Sequence, residues 1–172
     1  MFIHCDDKYA IMAATRCGHT NMYHYFDLPP YVETGFSVWD WKQHPNPIAV
    51  LRNPLDRVMS ALNFINSSYI NDSKNRDLVF ANHSAPYMNN TLMGFNFRII
   101  DFYDLEEYIP RRKDRIQSLR MDSHVGDVMV EDVYVENEFY SLQMLHTELE
   151  IYKELMCSYE RVSVEEWKGL TE

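Results

Sequence analysis

Cysteine is scarce in this chain: Cys5, Cys17 and Cys157 are the three in 172 residues. They are too few and too scattered for a disulfide framework or a zinc site. A reducing, cytoplasmic setting is the expectation. Long apolar runs are missing too, and none approaches the ~18 residues of a membrane span. The opening Met1-Phe-Ile-His-Cys-Asp-Asp-Lys8 lacks the basic start and apolar stretch of a secretory signal. Without an export signal, the Asn-x-Ser/Thr triplets at Asn66, Asn71, Asn82 and Asn89 read as coincidental. Positive charge is in deficit, with 16 Lys and Arg against 26 Asp and Glu and a net charge of −10. That balance argues against nonspecific binding to nucleic acid or to an anionic membrane. Any anionic ligand must therefore be held by a few well-placed cations. There is no internal repeat and no low-complexity tract.

What is present is enough apolar material for one core: 46% hydrophobic and 14% aromatic residues. Residues 1–172 are expected to form a single domain. Lys8 to Thr15 is a short apolar run of buried-strand type. Gly18 breaks it, and Thr20 to Phe26 follows as a short helix that Asp27-Leu-Pro-Pro30 ends. Val32 to Trp39 reads as a second strand, His44-Pro-Asn-Pro47 as a turn and Ile48 to Leu51 as a third, central strand. Asn53 and Pro54 suit the cap and first position of a helix. Leu55, Val58, Met59, Leu62 and Ile65 give that helix an apolar face. Asn66 to Asn82 reads as polar and loop-rich, Tyr87 to Phe95 as helical and Phe97 to Phe102 as a fourth strand. A helix opens at Asp104-Leu-Glu-Glu107. A long one runs from Glu138 to Tyr159 with Phe139, Leu142, Leu145, Leu149, Tyr152 and Leu155 inward. Strands alternating with helices imply an α/β fold, a mainly parallel sheet flanked by helices.

Two segments carry chemistry. In Ile48-Ala-Val-Leu-Arg-Asn-Pro-Leu-Asp-Arg-Val-Met-Ser-Ala-Leu62 an apolar run breaks into an amphipathic helix. Arg52 stands at the strand end and Ser60 two helical turns on. A guanidinium fork and a hydroxyl can grip one phosphate. Upstream, Tyr9-Ala-Ile-Met-Ala-Ala14 leads into Thr15-Arg-Cys-Gly-His-Thr20. This strand–loop–helix offers backbone N–H groups beside Arg16 and Thr20, a second anion corner. The two corners fit separate phosphates of one nucleotide. Neither is a Walker A loop. Position 13 is Ala, and Gly18 is followed by His19-Thr20 rather than Lys-Ser/Thr. With no lysine for a γ-phosphate and no clear strand-end Asp for magnesium, hydrolysis of ATP or GTP is disfavoured.

Arg16-Cys-Gly-His-Thr20 resembles the 5′-phosphosulfate loop of sulfotransferases. Arg52-Asn-Pro-Leu-Asp-Arg-Val-Met-Ser60 resembles the same family's 3′-phosphate motif, including the Arg-to-Ser spacing and the intervening Asp-Arg. Ile99-Ile-Asp-Phe-Tyr-Asp-Leu105 is similar to a later family strand that usually carries Glu-Asp-Leu, with Tyr103 replacing the first acid. The resemblance covers residues 8–105. Glu165-Glu-Trp-Lys168 is only faintly similar to a C-terminal cofactor loop and lacks its glycines. The resemblance implies a P-loop NTPase-like, three-layer sulfotransferase domain whose donor is 3′-phosphoadenosine 5′-phosphosulfate (PAPS). Arg16, Cys17, Gly18, His19 and Thr20 would hold the 5′-phosphosulfate, and Arg52 and Ser60 the 3′-phosphate. Arg16 and His19 would also stabilise charge on the sulfuryl and leaving phosphate. No metal is implied, because a sulfuryl group carries less charge than a phosphoryl group and can be transferred by positioning and hydrogen bonds. The product would be adenosine 3′,5′-bisphosphate, and the acceptor a hydroxyl or amine on a small molecule, glycan or peptide.

The reaction needs a base. Many relatives use a Glu or His beyond the loop, and Glu33 is the first candidate here. His44 and Asp40 follow, and His24 is less suited within the first helix. His83 is either an acceptor contact or a loop-capping histidine. Arg111-Arg-Lys-Asp-Arg115 is either an attractor for an acidic acceptor or a solvated helix face. Trp39 and Trp41 are adenine platforms or core. Cys17, in an anion loop, is expected to be mildly acidic. Two other classes remain: a non-catalytic nucleotide-binding module of the same fold, and a small magnesium-dependent P-loop kinase. The chain is short for the family, so the acceptor site is either open or completed by a second copy in a homo-oligomer.

Overall fold

The computed structural model describes residues 1–29, 33–67, 73–84, 86–110 and 140–172. Four strands, β1 (Phe2–Cys5), β2 (Ala10–Ala13), β3 (Pro47–Leu51) and β4 (Arg98–Asp101), form one sheet in the order β1-β2-β3-β4. β1 runs antiparallel to β2, whereas β2, β3 and β4 are mutually parallel. β2 is buried at every position and β3 from Ile48 onward, as expected of parallel strands covered on both faces. The fold is therefore α/β, with a mixed, mostly parallel sheet flanked by helices.

Helices α1 (His19–Tyr25), α2 (Val38–Gln43), α3 (Pro54–Ser67) and α4 (Ser73–Ser84) precede one π-helical turn, Met88–Leu92. After β4 come a 3-10 turn (Phe102–Asp104), α5 (Leu105–Tyr108), α6 (Leu142–Ser158) and α7 (Val164–Thr171). Asn53 caps α3 as expected: its Oδ1 accepts the Leu55 N–H at 2.9 Å, and Pro54 is the first helical residue. The sheet and its neighbours share one apolar cluster that includes Trp41 and Trp167. A second cluster joins Leu55, Val58, Ala61 and Ile65 of α3 to Phe80 of α4, Tyr140 and Leu145 of α6. Among the described residues, no helix is long and apolar enough to cross a membrane.

Three elements differ from the sequence expectation. β1 was not foreseen at all. It is a four-residue edge strand turned into β2 by Asp6, whose Oδ1 accepts the Lys8 and Tyr9 N–H groups at 2.7 and 2.9 Å. The strand expected over Val32–Trp39 is absent from its described part. Ser37 and Asp40 form a reciprocal capping box there and start α2 instead. α2 then buries Trp41, whose Nε1–H donates to the Ile48 carbonyl at 2.9 Å. The expected loop at Asn66–Asn82 contains α4, a polar helix held by Phe80 and Ala81 against the core. Tertiary packing overrides its weak amphipathicity. Arg111–Arg120 and Phe139 lie outside the described residues.

Candidate functional site

Parallel pairing of β2 with β3, in the register Ala13 to Val50, sets the two carboxyl ends side by side. Arg16 follows one and Arg52 the other. Open α/β sheets place ligands at this edge. The loop between β2 and α1 is tightly wound: Cys17 N–H closes a turn onto Ala14 O at 3.0 Å. Arg16 has φ 66° and Gly18 φ 85°. Only glycine takes the left-handed region without cost, so Arg16 is held there at about 1 kcal/mol or more. A Cβ at Gly18 would collide with buried Leu105 of α5.

Arg16 donates from Nε and Nη2 to Ser60 Oγ at 3.0 and 2.8 Å. Arg52 donates from Nη1 to the Arg16 carbonyl at 2.8 Å. The two anion corners are thus contiguous, with Arg16 of the first touching Ser60 of the second. Each guanidinium also lies over an aromatic ring, Arg16 5.3 Å from the Phe64 centroid and Arg52 4.3 Å from that of Phe102. Among the described residues, neither arginine is paired with a carboxylate, and the buried Arg52 Nε finds no acceptor. Burial, then the like charge of Arg52, pulls the Arg16 pKa below its ordinary value. Two adjacent, half-buried cations with no carboxylate partner among the described residues can take up an anion.

A third cation lies beneath, but it is neutralised. Arg57 is 3% exposed and Glu148 of α6 1%, with Arg57 Nη1 3.9 Å from Glu148 Oε1. The same oxygen accepts the Tyr87 and Met88 N–H groups at 3.0 and 3.1 Å. Burial nevertheless pushes the Glu148 carboxyl up. Tyr87 passes the connection upward. Its hydroxyl lies 3.8 Å from Cys17 Sγ and 3.4 Å from the Val50 carbonyl. Cys17 is fully buried, and burial raises its thiol pKa, so the acidic thiol expected from an anion loop is not found. Its side chain packs in the apolar cluster under the loop. Tyr103 donates its hydroxyl to Asp56, a carboxylate 3% exposed.

His19 and Thr20 stand half-buried in the first turn of α1, where N–H groups lack intrahelical partners. Glu33 is exposed, and its charge is felt by Tyr23 of α1. That places it beside α1. Asp40 is engaged in the Ser37 capping box, and those hydrogen bonds hold its carboxyl below the usual range. His44 uses both ring nitrogens, donating from Nε2 to Asp6 O at 2.8 Å and accepting the Asn46 N–H at Nδ1 at 3.0 Å. It therefore sits at the amino ends of β2 and β3, the opposite edge of the sheet. Trp41 is core and Trp39 is 68% exposed on α2. Among the described residues, no group of His, Cys, Asp and Glu could hold a metal ion.

Sequence reasoning missed Phe64, Tyr87 and Glu148. Glu148 had a signal: it falls on the Leu145–Ile151–Leu155 face of α6, where a carboxylate has no business unless something inside pairs with it. Compared with models of protein families, with curated proteins and with solved structures, the chain matches none.

Proposed function

We propose that the chain is a PAPS-dependent sulfotransferase of P-loop NTPase-like, three-layer architecture. It moves a sulfuryl group to a hydroxyl or amine of a small-molecule, glycan or peptide acceptor and releases adenosine 3′,5′-bisphosphate. One observation supports this reading: Arg16 and Arg52 stand side by side at the strand ends, Arg16 bonded to Ser60 and Arg52 to the Arg16 carbonyl, and both lack any carboxylate partner among the described residues. The residues fit the donor's charge. Arg52 Nε is an orphaned buried donor, and anion oxygens would satisfy it. Arg52 and Ser60 hold the 3′-phosphate, while Arg16, Gly18, His19 and Thr20 hold the 5′-phosphosulfate. The donor supplies an activated sulfuryl group, and the chain supplies position and fixed positive charge.

The test is a thermal shift with adenosine 3′,5′-bisphosphate against ATP plus magnesium, on wild type and Arg52→Ala. A ligand at 100 times its Kd adds about 2.7 kcal/mol, or several degrees in Tm for a chain of this size. The bisphosphate alone is expected to stabilise, and Arg52→Ala to abolish the shift. An equal response to ATP and magnesium, or an indifferent mutant, would turn the reading to a kinase or to no nucleotide site.

A further inference from the structure

The described edge of the sheet holds cations, hydroxyls, buried carboxylates and two histidines, His19 and His83. His83, in the last turn of α4, stacks on Phe64 of α3 with ring centroids 4.7 Å apart and planes 24° from parallel. Phe64 is the ring that Arg16 covers. His83 is thus one aromatic ring away from the guanidinium that faces the sulfuryl end of the proposed donor. Its Nδ1 lies 2.8 Å from the Val79 carbonyl. A carbonyl only accepts, so Nδ1 carries the proton and Nε2 keeps its lone pair. Nε2 has no hydrogen-bond partner among the described residues. The residue is half-buried.

We propose that His83 Nε2 is the base that takes the proton of the attacking acceptor, an assignment that rests on the sulfuryl-transfer reading above. As the acceptor oxygen or nitrogen bonds to sulfur, His83 Nε2 takes its proton. The bond from sulfur to the 5′-phosphate oxygen breaks, and its electron pair leaves with the bisphosphate. The imidazolium then returns the proton to solvent. The charged groups that face the ring are Arg16, Arg57 and the Met1 amino group, all positive. Burial, aided by these charges and opposed by the Val79 carbonyl, pulls the His83 pKa below the ordinary histidine value. The ring is therefore an unprotonated acceptor at neutral pH.

Water is the acceptor for a test that needs no identified substrate. Two readouts use the full chain. In the first, NMR follows the His83 ring through a pH titration with and without adenosine 3′,5′-bisphosphate. The added negative charge is expected to raise the ring's pKa, and an unmoved titration overturns the assignment. In the second, sulfate release from PAPS in water is measured for wild type, His83→Asn and Glu33→Gln. Asn can still donate to Val79 but lacks Nε2. His83→Asn is expected to keep wild-type affinity for the bisphosphate, to lose about 100-fold or more in rate, and to lose the rise of rate with pH through the histidine range. Loss in Glu33→Gln with none in His83→Asn overturns the assignment, as does bisphosphate binding by a wild type that releases no sulfate. Failure of the wild type to bind the bisphosphate at all sinks the donor reading itself, which separates the two.

Discussion

Ser60 and Arg16, 44 residues apart, are joined by two hydrogen bonds from one guanidinium edge to a single hydroxyl oxygen. α3 brings the hydroxyl and the β2–α1 loop brings the cation. Neither corner of the proposed site is complete alone. An anion bound at this point meets both groups together.

Ser60→Ala removes that hydroxyl, the acceptor of both Arg16 hydrogen bonds. The Kd for adenosine 3′,5′-bisphosphate is expected to rise about 10- to 100-fold, the worth of one hydrogen bond to a charged group. Isothermal titration gives the number. An unchanged Kd would place Ser60 outside the anion site.

Glu148→Ala tests the support beneath the loop. It leaves two buried N–H groups without their acceptor and removes the carboxylate that lies against Arg57. A loss of about 3–5 kcal/mol is expected in urea unfolding. Glu148→Gln keeps an accepting oxygen for Tyr87 and Met88, so its loss should be smaller. Equal losses in the two variants would show that charge, rather than the N–H pair, is what Glu148 supplies.

Gly18→Ala places a Cβ on a backbone with φ 85° and against Leu105. The left-handed conformation and the displaced leucine together cost about 1–3 kcal/mol. Circular dichroism during denaturation reads the stability, and the bisphosphate thermal shift reads the loop. Loss of less than half a kcal/mol, by the same reasoning, would mean that the loop relaxes freely around this position.

His4 stacks on Phe26 at 4.2 Å, and burial pulls its pKa below the ordinary histidine value, with Asp6 opposing. A depressed histidine pKa means that the unfolded chain binds the extra proton first, so stability falls as pH falls. The contribution is whole above about pH 6.5, the unfolded value, and declines as pH drops through the folded one. The urea midpoint of wild type is expected to fall between pH 7.5 and 5.5 more steeply than that of His4→Gln. Parallel curves would remove His4 as a source of acid sensitivity.

Elements with a strong one-dimensional signal were legible in the chain. The apolar runs at β2 and β3, the Asn53-Pro54 start of α3 and the periodicity of α6 all appear where the pattern puts them. α2 and α4 show where the pattern fails. Ser37 and Asp40 make α2 by capping each other's backbone, which outweighs the strand preference of Phe36, Val38 and Trp39. α4 is a poor amphipathic helix that exists because α3 offers Phe80 a place to pack.

The order of residues along the chain determined an α/β arrangement and set Arg16 and Arg52 just beyond strand ends and Ser60 two turns into the helix that follows. Local propensity and hydrophobic periodicity act over a few residues, so these features needed no other part of the molecule. Only the tertiary structure decided that Arg16 touches Ser60, that Glu148 lies against Arg57, and that His83 stacks on Phe64. Such pairings join residues remote along the chain. Burial and the parallel register of the sheet select them, and no short window of sequence encodes either.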